Sequence, residues 1–290
     1  MKYLLFLFFF IKFILSQHND VNSDNYYDDY HDDYNNDNDD YDDDYNLLNL
    51  KYYSTIDERK LVVCDSSVTN RLVDWSNVYT SQVKNAGLCL NAGWAFAAAD
   101  QVESDTLRIH GIIYKYVLST QQLIDCVSFN NGCIGGKIEQ AYDYLLSNGI
   151  EQSNNYPHSS YFSINQRCSQ DSSLSVVKLG GYYNLLKGNE ACMANYVQKI
   201  GPITVCVSAS LSWYSYSGGI MTLSSCPATN YINHCLQVVG VYPNVNGGYW
   251  KLKNSYGTGW GEKGYIRLAY GSNVCNIINN PIYTFPIVDF

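Results

Sequence analysis

The stretch Val83–Phe96, VKNAGLCLNAGWAF, sets the terms for the rest of the chain. A loop broken at Gly87 runs into Cys89, turns through small residues to Gly93, and enters a long helical pattern. Ala95, Phe96, Ala99, Val102, Glu103, Thr106 and Ile109 recur at helical spacing, so a helix is expected over Trp94–Tyr114, with Gly111 near its end. Ile138, Ala141, Tyr142, Leu145 and Leu146 form a second amphipathic pattern that stops at Gly149. The second half of the chain changes character. Pro202–Ala209, His234–Tyr242, Gly248–Asn254 and Gly264–Tyr270 are short strand-like runs separated by Gly, Pro and Asn turns. A helical half followed by a strand half argues an α+β fold in two lobes.

The start of the chain reads differently. Met1–Ser16 has an early lysine, an apolar run from Tyr3 to Ile11 and a short end, the pattern of a secretory signal over residues 1–16. It is too short, and too interrupted by Lys12, for a spanning helix, and no later stretch qualifies. His18–Asn46 carries twelve Asp and six Tyr with no Lys or Arg. Such a segment repels itself and has little apolar surface to bury, so residues 17–50 are expected to be a disordered acidic tail. A solvated spacer is the plain reading of it; weak calcium or mineral binding and tyrosine sulfation are the sharper ones. The tail also accounts for the net charge of −9. Without it and the two lysines of the signal, 16 basic and 15 acidic residues remain. No basic stripe favours nucleic acid. Residues 51–71 form a short connecting segment, followed by a domain over 72–290. Ten cysteines in an exported chain read as a disulfide framework, and no zinc-type Cys-x-x-Cys pair is present, so no metal or cofactor is expected.

Val83, Lys84, Gly87, Cys89, Trp94, Ala95 and Phe96 resemble the nucleophile segment of papain-like cysteine proteases, Val-Lys-x-Gln-Gly-x-Cys-Gly-Ser-Cys-Trp-Ala-Phe. Further motifs follow in the family's order. These are Val73–Ser76, Leu118–Cys126, Gly132–Gly136, Asn155–Pro157, Asn233–Cys235 and Lys253–Glu262. The resemblance covers about 220 residues and implies a helical N-terminal lobe, a β-rich C-terminal lobe and a cleft between them. It implies that His234 is the catalytic histidine and Asn254 its orienting partner. Gly135 and Gly136, in the glycine ledge, pair with substrate backbone in the family; a plain stapled turn is the alternative. Trp260 is retained, while Tyr256 stands where the family has tryptophan.

The pattern fails where the chemistry lies. The nucleophile position is Gly93, which cannot form an acyl intermediate. The oxyanion glutamine position is Ala86, and the Cys89–Trp94 spacing is one residue too long. The expectation is therefore a non-catalytic homologue on the secretory route, secreted or in a lysosome or vacuole, binding a peptide or protein through the old cleft. One alternative is a working peptidase with an unusual nucleophile, for which Cys89 is the candidate. Another is a structural or storage protein acting through its acidic tail. The resemblance pairs Cys89–Cys133, Cys126–Cys168 and Cys226–Cys275. It also places Cys206 and Cys235 on neighbouring strands lining a specificity pocket, either bonded or as two buried thiols. Cys64 and Cys192 would pair by elimination.

Overall fold

The computed structural model describes residues 67–159, 166–229, 231–244 and 246–290, all within the compact unit Leu61–Phe290. The signal, the acidic tail and most of the connecting segment, Cys64 included, lie outside the described residues.

The first long helix, α1, spans Gly93–His110. Small alanines at 95 and 97–99 favour helix and let other elements approach closely. Every residue from Gly93 to Leu107 is buried. Its polar side chains are buried with partners, as burial requires. Gln101 Nε2 donates to Asp105 Oδ2 and the Pro202 carbonyl, and Asp105 Oδ2 accepts from Thr284. The helix stops four residues before the expected Tyr114. Gly111 takes a positive φ of 91° and its N–H closes on the Leu107 carbonyl; Ile112–Tyr114 then form a separate 3-10 turn. Two more helices, α2 (Thr120–Cys126) and α3 (Ile138–Asn148), complete the helical lobe. The Ser119 side chain caps α2 by accepting from Gln122 N–H.

The strands are β1 (Val73–Asp74), β2 (Ile150–Glu151), β3 (Ser175–Asn184), β4 (Ile203–Val207), β5 (Ile220–Met221), β6 (His234–Tyr242), β7 (Tyr249–Lys253), β8 (Tyr265–Ala269) and β9 (Ile282–Ile287). Their order is β2-β3-β9-β4-β6-β7-β8-β5, with β1 also on β6. All pairs are antiparallel except β5 with β8. The expected strands form within a residue or two of their sequence limits. β2, β3, β5, β9 and the helix α4 (Glu190–Lys199), started by Asn189, have no counterpart among the runs read from the sequence. Two cores result. One gathers Trp94, Phe96, Leu123, Tyr142 and Leu145 around α1 to α3. The other gathers Val205, Leu236, Trp250, Leu252 and Ile266 between α4 and the central strands. β6 is buried along nearly its whole length, since α1 lies on one side and the second core on the other. Among the described residues no helix is long and apolar enough to cross a membrane.

Candidate functional site

Three residues from distant parts of the chain meet where α1 begins. Gly93 is the first residue of α1, His234 the first of β6, and Asn254 directly follows β7. Asn254 Oδ1 accepts from the Ser255 backbone N–H at 2.8 Å and contacts His234 Nε2 at 2.8 Å. A backbone N–H can only donate, so this atom is an acceptor, and Nε2 carries the imidazole proton. Nδ1 is left with a lone pair, and it faces Gly93. A Cβ placed on Gly93 would lie 2.6 Å from Nδ1, 2.7 Å from Cε1 and 3.0 Å from the Cys235 carbonyl oxygen. The imidazole therefore occupies the space that a side chain at position 93 would need. The Gly93 backbone is ordinary helix, φ −48° and ψ −32°. Glycine to alanine would ordinarily favour such a position by roughly 0.5–1 kcal/mol. Here the ring opposes it.

His234 is buried, and burial pushes its pKa below the ordinary 6.5, against the opposing pull of Asn254. The folded protein thus holds this proton less tightly than the unfolded chain. Through His234, stability falls as pH drops below about 6.5 and is regained as pH rises. Ring NMR is expected to give a His234 midpoint under 6.5; a midpoint above it would contradict the burial argument.

Aromatic rings surround the pair. Tyr256 lies 5.2 Å from the imidazole and Trp213 lies edge-on at 6.0 Å. Tyr214 is parallel to Tyr256 at 6.5 Å, and Trp260 meets Tyr256 edge-on at 5.4 Å while its Nε1 donates to the Trp213 carbonyl. Tyr256 thus still covers the imidazole, and burial raises its hydroxyl pKa so that it stays neutral. Trp213 and Tyr214 escaped the sequence reading; the aromatic run LSWYSY was their only signal.

Ala86 is buried beside this group, its N–H donating to the Ser255 carbonyl at 2.8 Å. Its methyl offers no hydrogen-bond donor. His158, outside every motif, packs edge-on to Phe96 at 5.4 Å and is also drawn to the Ala86 backbone; burial lowers its pKa. The extra residue before Trp94 is absorbed in a 3-10 turn, Leu90–Ala92, between Cys89 and α1.

The loop that carries Gly135 and Gly136 docks on the helix entry through the Cys89–Cys133 disulfide and a Trp94 Nε1 bond to the Gly132 carbonyl. Gly136 is required by a close approach, since a Cβ there would run into the Asn130 side chain. That side chain also bonds both backbone groups of Lys137. Gly135, at φ 146°, has open space where a Cβ would stand, and its carbonyl accepts from Asn131 N–H.

The disulfides Cys89–Cys133, Cys126–Cys168 and Cys226–Cys275 are formed. Cys206 and Cys235 are bonded as well, directly opposite each other in the β4–β6 ladder with Cα atoms 4.0 Å apart. That resolves the choice between bridge and free thiols in favour of the bridge. Cys192 is also in a disulfide; the expectation that Cys64 is its partner falls outside the described residues.

Comparison with known proteins places these features in one context. A family model described as papain family cysteine protease matches residues 69–285. A cathepsin L-like proteinase of Fasciola hepatica is 35% identical over 209 residues, 71% of this chain and 62% of that protein. Cathepsin K of Mus musculus is 36% identical over 204 residues, covering 69% and 60%. The digestive procathepsin L 3 structure from the larval midgut of Tenebrio molitor superposes with a TM-score of 0.68 at 34% identity, over 79% of this chain and 72% of that one. Across four curated relatives, the matched part spans 58% to 66% of the relative's own length.

Proposed function

This chain belongs to the papain family of cysteine proteases, and from that premise we propose that it is a non-catalytic member whose cleft binds a peptide or protein. The observation that carries the reading is the contact between Gly93 and His234. The family's nucleophile position holds no side chain, and the imidazole fills the room for one. The proton-accepting pair His234–Asn254 is kept without anything to activate. A covalent acyl step needs a nucleophilic atom within hydrogen-bond reach of the base, and glycine supplies none. Cys89, the candidate for an unusual nucleophile, is bonded to Cys133 and has no thiolate to offer.

Binding is supported by exposed apolar side chains on segments tied to the site. Leu88 and Ile134 flank the Cys89–Cys133 bridge, and Phe129 lies on the same loop as Ile134. Leu211, Tyr214, Tyr231 and Ile232 lie on segments joined by the Asn233 side chain, which bonds both backbone groups of Ala209. Exposed apolar side chains on these segments are where a peptide ligand would find apolar contacts. The disulfides favour an oxidising compartment, which fits a secreted protein or delivery to a lysosome or vacuole by the secretory route.

The test uses purified protein with fluorogenic peptides, a thiol-reactive epoxide probe and a displayed peptide library. We expect no turnover, no adduct, and retention of apolar peptides that Ile134→Asp releases. Turnover or an adduct that Cys89→Ala abolishes would overturn the non-catalytic reading. Peptides retained equally by Ile134→Asp would remove the cleft from the binding reading.

A further inference from the structure

We propose that the Cys206–Cys235 cystine is a positioning element for His234, holding the imidazole and the Cys235 carbonyl closed over Gly93. The inference begins with what this bridge does not do. The other three described bridges tie turns, loops and the end of α2. This one joins two strands that the β4–β6 ladder already pairs, from Ile203 with Val238 to Val207 with His234. It brings together no part of the fold that the ladder leaves apart. What it adds is local, at the first residues of β6, where it fixes covalently the neighbour of a His234 already held by the ladder and by Asn254.

The contacts form a closed ring. Gly93 and Ala97 lie one turn apart on α1. The Ala97 carbonyl accepts from Thr204 Oγ1 at 3.4 Å, and the same hydroxyl bonds Gln101 Oε1 at 3.1 Å, anchoring β4 to the helix. Two residues along β4, Cys206 is bonded to Cys235. Cys235 adjoins His234, and both its carbonyl and the His234 ring point back at Gly93. Gln237 fixes β6 further along, donating to the Asp100 carbonyl and Ser104 Oγ. The cystine is the one covalent link in this ring besides the chain itself, and it sits next to the residue that closes the site.

The inference rests on reading Gly93 and His234 as the remnant site, but the two fail separately: turnover would sink that reading, while the measurements below bear only on the tie. The protein is compared with its Cys206→Ala/Cys235→Ala double variant. The His234 ring nitrogen signals are expected to shift and broaden in the variant as the imidazole gains freedom. Gly93→Ala is expected to lower Tm in the bonded protein, and to lower it much less in the unbonded one, because the ring can then move aside. Such coupling between contacting sites is what a double-mutant cycle reads. Unchanged His234 signals, or equal Tm losses in the two backgrounds, would overturn the proposal. If the alanine pair does not fold, Cys206→Val with Cys235→Ala restores most of the lost volume and carries the same two readouts. Failure of both pairs to fold would make the bridge a general structural tie and also overturn the positioning role.

Discussion

Cysteine introduced at Gly93 alone is expected to give no detectable peptidase turnover. Three independent defects stand in its way. Its Cβ would lie 2.6 Å from His234 Nδ1, so either the ring leaves Asn254 or the thiol turns away from its base. Ala86 supplies no side-chain donor to a developing oxyanion, a loss of roughly 100- to 1000-fold for one such donor. The Leu90–Ala92 turn lengthens the approach to the helix by one residue, where catalytic groups need placement within about 0.5 Å. Turnover is expected only when Gly93→Cys is combined with Ala86→Gln and the removal of one residue from that turn. Fluorogenic peptide hydrolysis and active-site titration with the epoxide probe check both variants. Family-like rates from the single change would show the ring and the insertion to be harmless.

Asp100→Ala is expected to lower the unfolding free energy by about 3–5 kcal/mol, the range for breaking a buried ion pair. Asp100 Oδ1 lies 3.0 Å from Lys84 Nζ and 3.1 Å from Lys253 Nζ. Lys84 keeps Glu103, at 2.6 Å, when Asp100 is removed. Lys253 keeps the Ser81 hydroxyl, at 2.9 Å, and the pull of Glu103, but stays beside the Lys84 charge. Burial already pushes the Lys253 ammonium below its ordinary pKa, against the pull of Asp100. Denaturant unfolding at neutral pH gives the loss; a value under about 1 kcal/mol would mean that Lys253 sheds its proton or reaches water. The same carboxylate sets a pH dependence. Burial raises its pKa, but Lys253 and Lys84 outweigh burial and hold it below the ordinary 3.8. Its stabilising contribution is therefore present above that value and is lost as pH falls through the lower folded value. Because Lys253 precedes Asn254, the loss should also reach the His234 signal, which the Gly93 variants test from the other side.

Much of this was legible in the chain alone, for local reasons. β6 is an unbroken apolar run from Cys235 to Val241 save for Gln237 and Gly240, as a strand covered on both faces must be. The absence of a side chain at Gly93 and of a donor at Ala86 are facts of composition at motif positions, and no packing could restore them. The helix from Gly93 was legible in its spacing, though its end was not, since only the positive φ at Gly111 decides where it stops. β3 and β9 are hard to read in the chain because Gly180 and Gly181 interrupt the one and Pro286 the other.

Other features belong to the tertiary structure. Nothing in the order of residues says that the His234 ring fills the room above Gly93; that distance is set by how β6 packs on α1. Nor does sequence bring His158 to Ala86 or Tyr214 over Tyr256, since each contact joins loops that only the assembled lobes bring together. Cys206 and Cys235 carry the clearest case. Their identities allowed a bridge or two thiols, and their separation of 29 positions in sequence favoured neither. The ladder register put them face to face, and a shift of one residue would have turned one sulfur to the opposite side of the sheet.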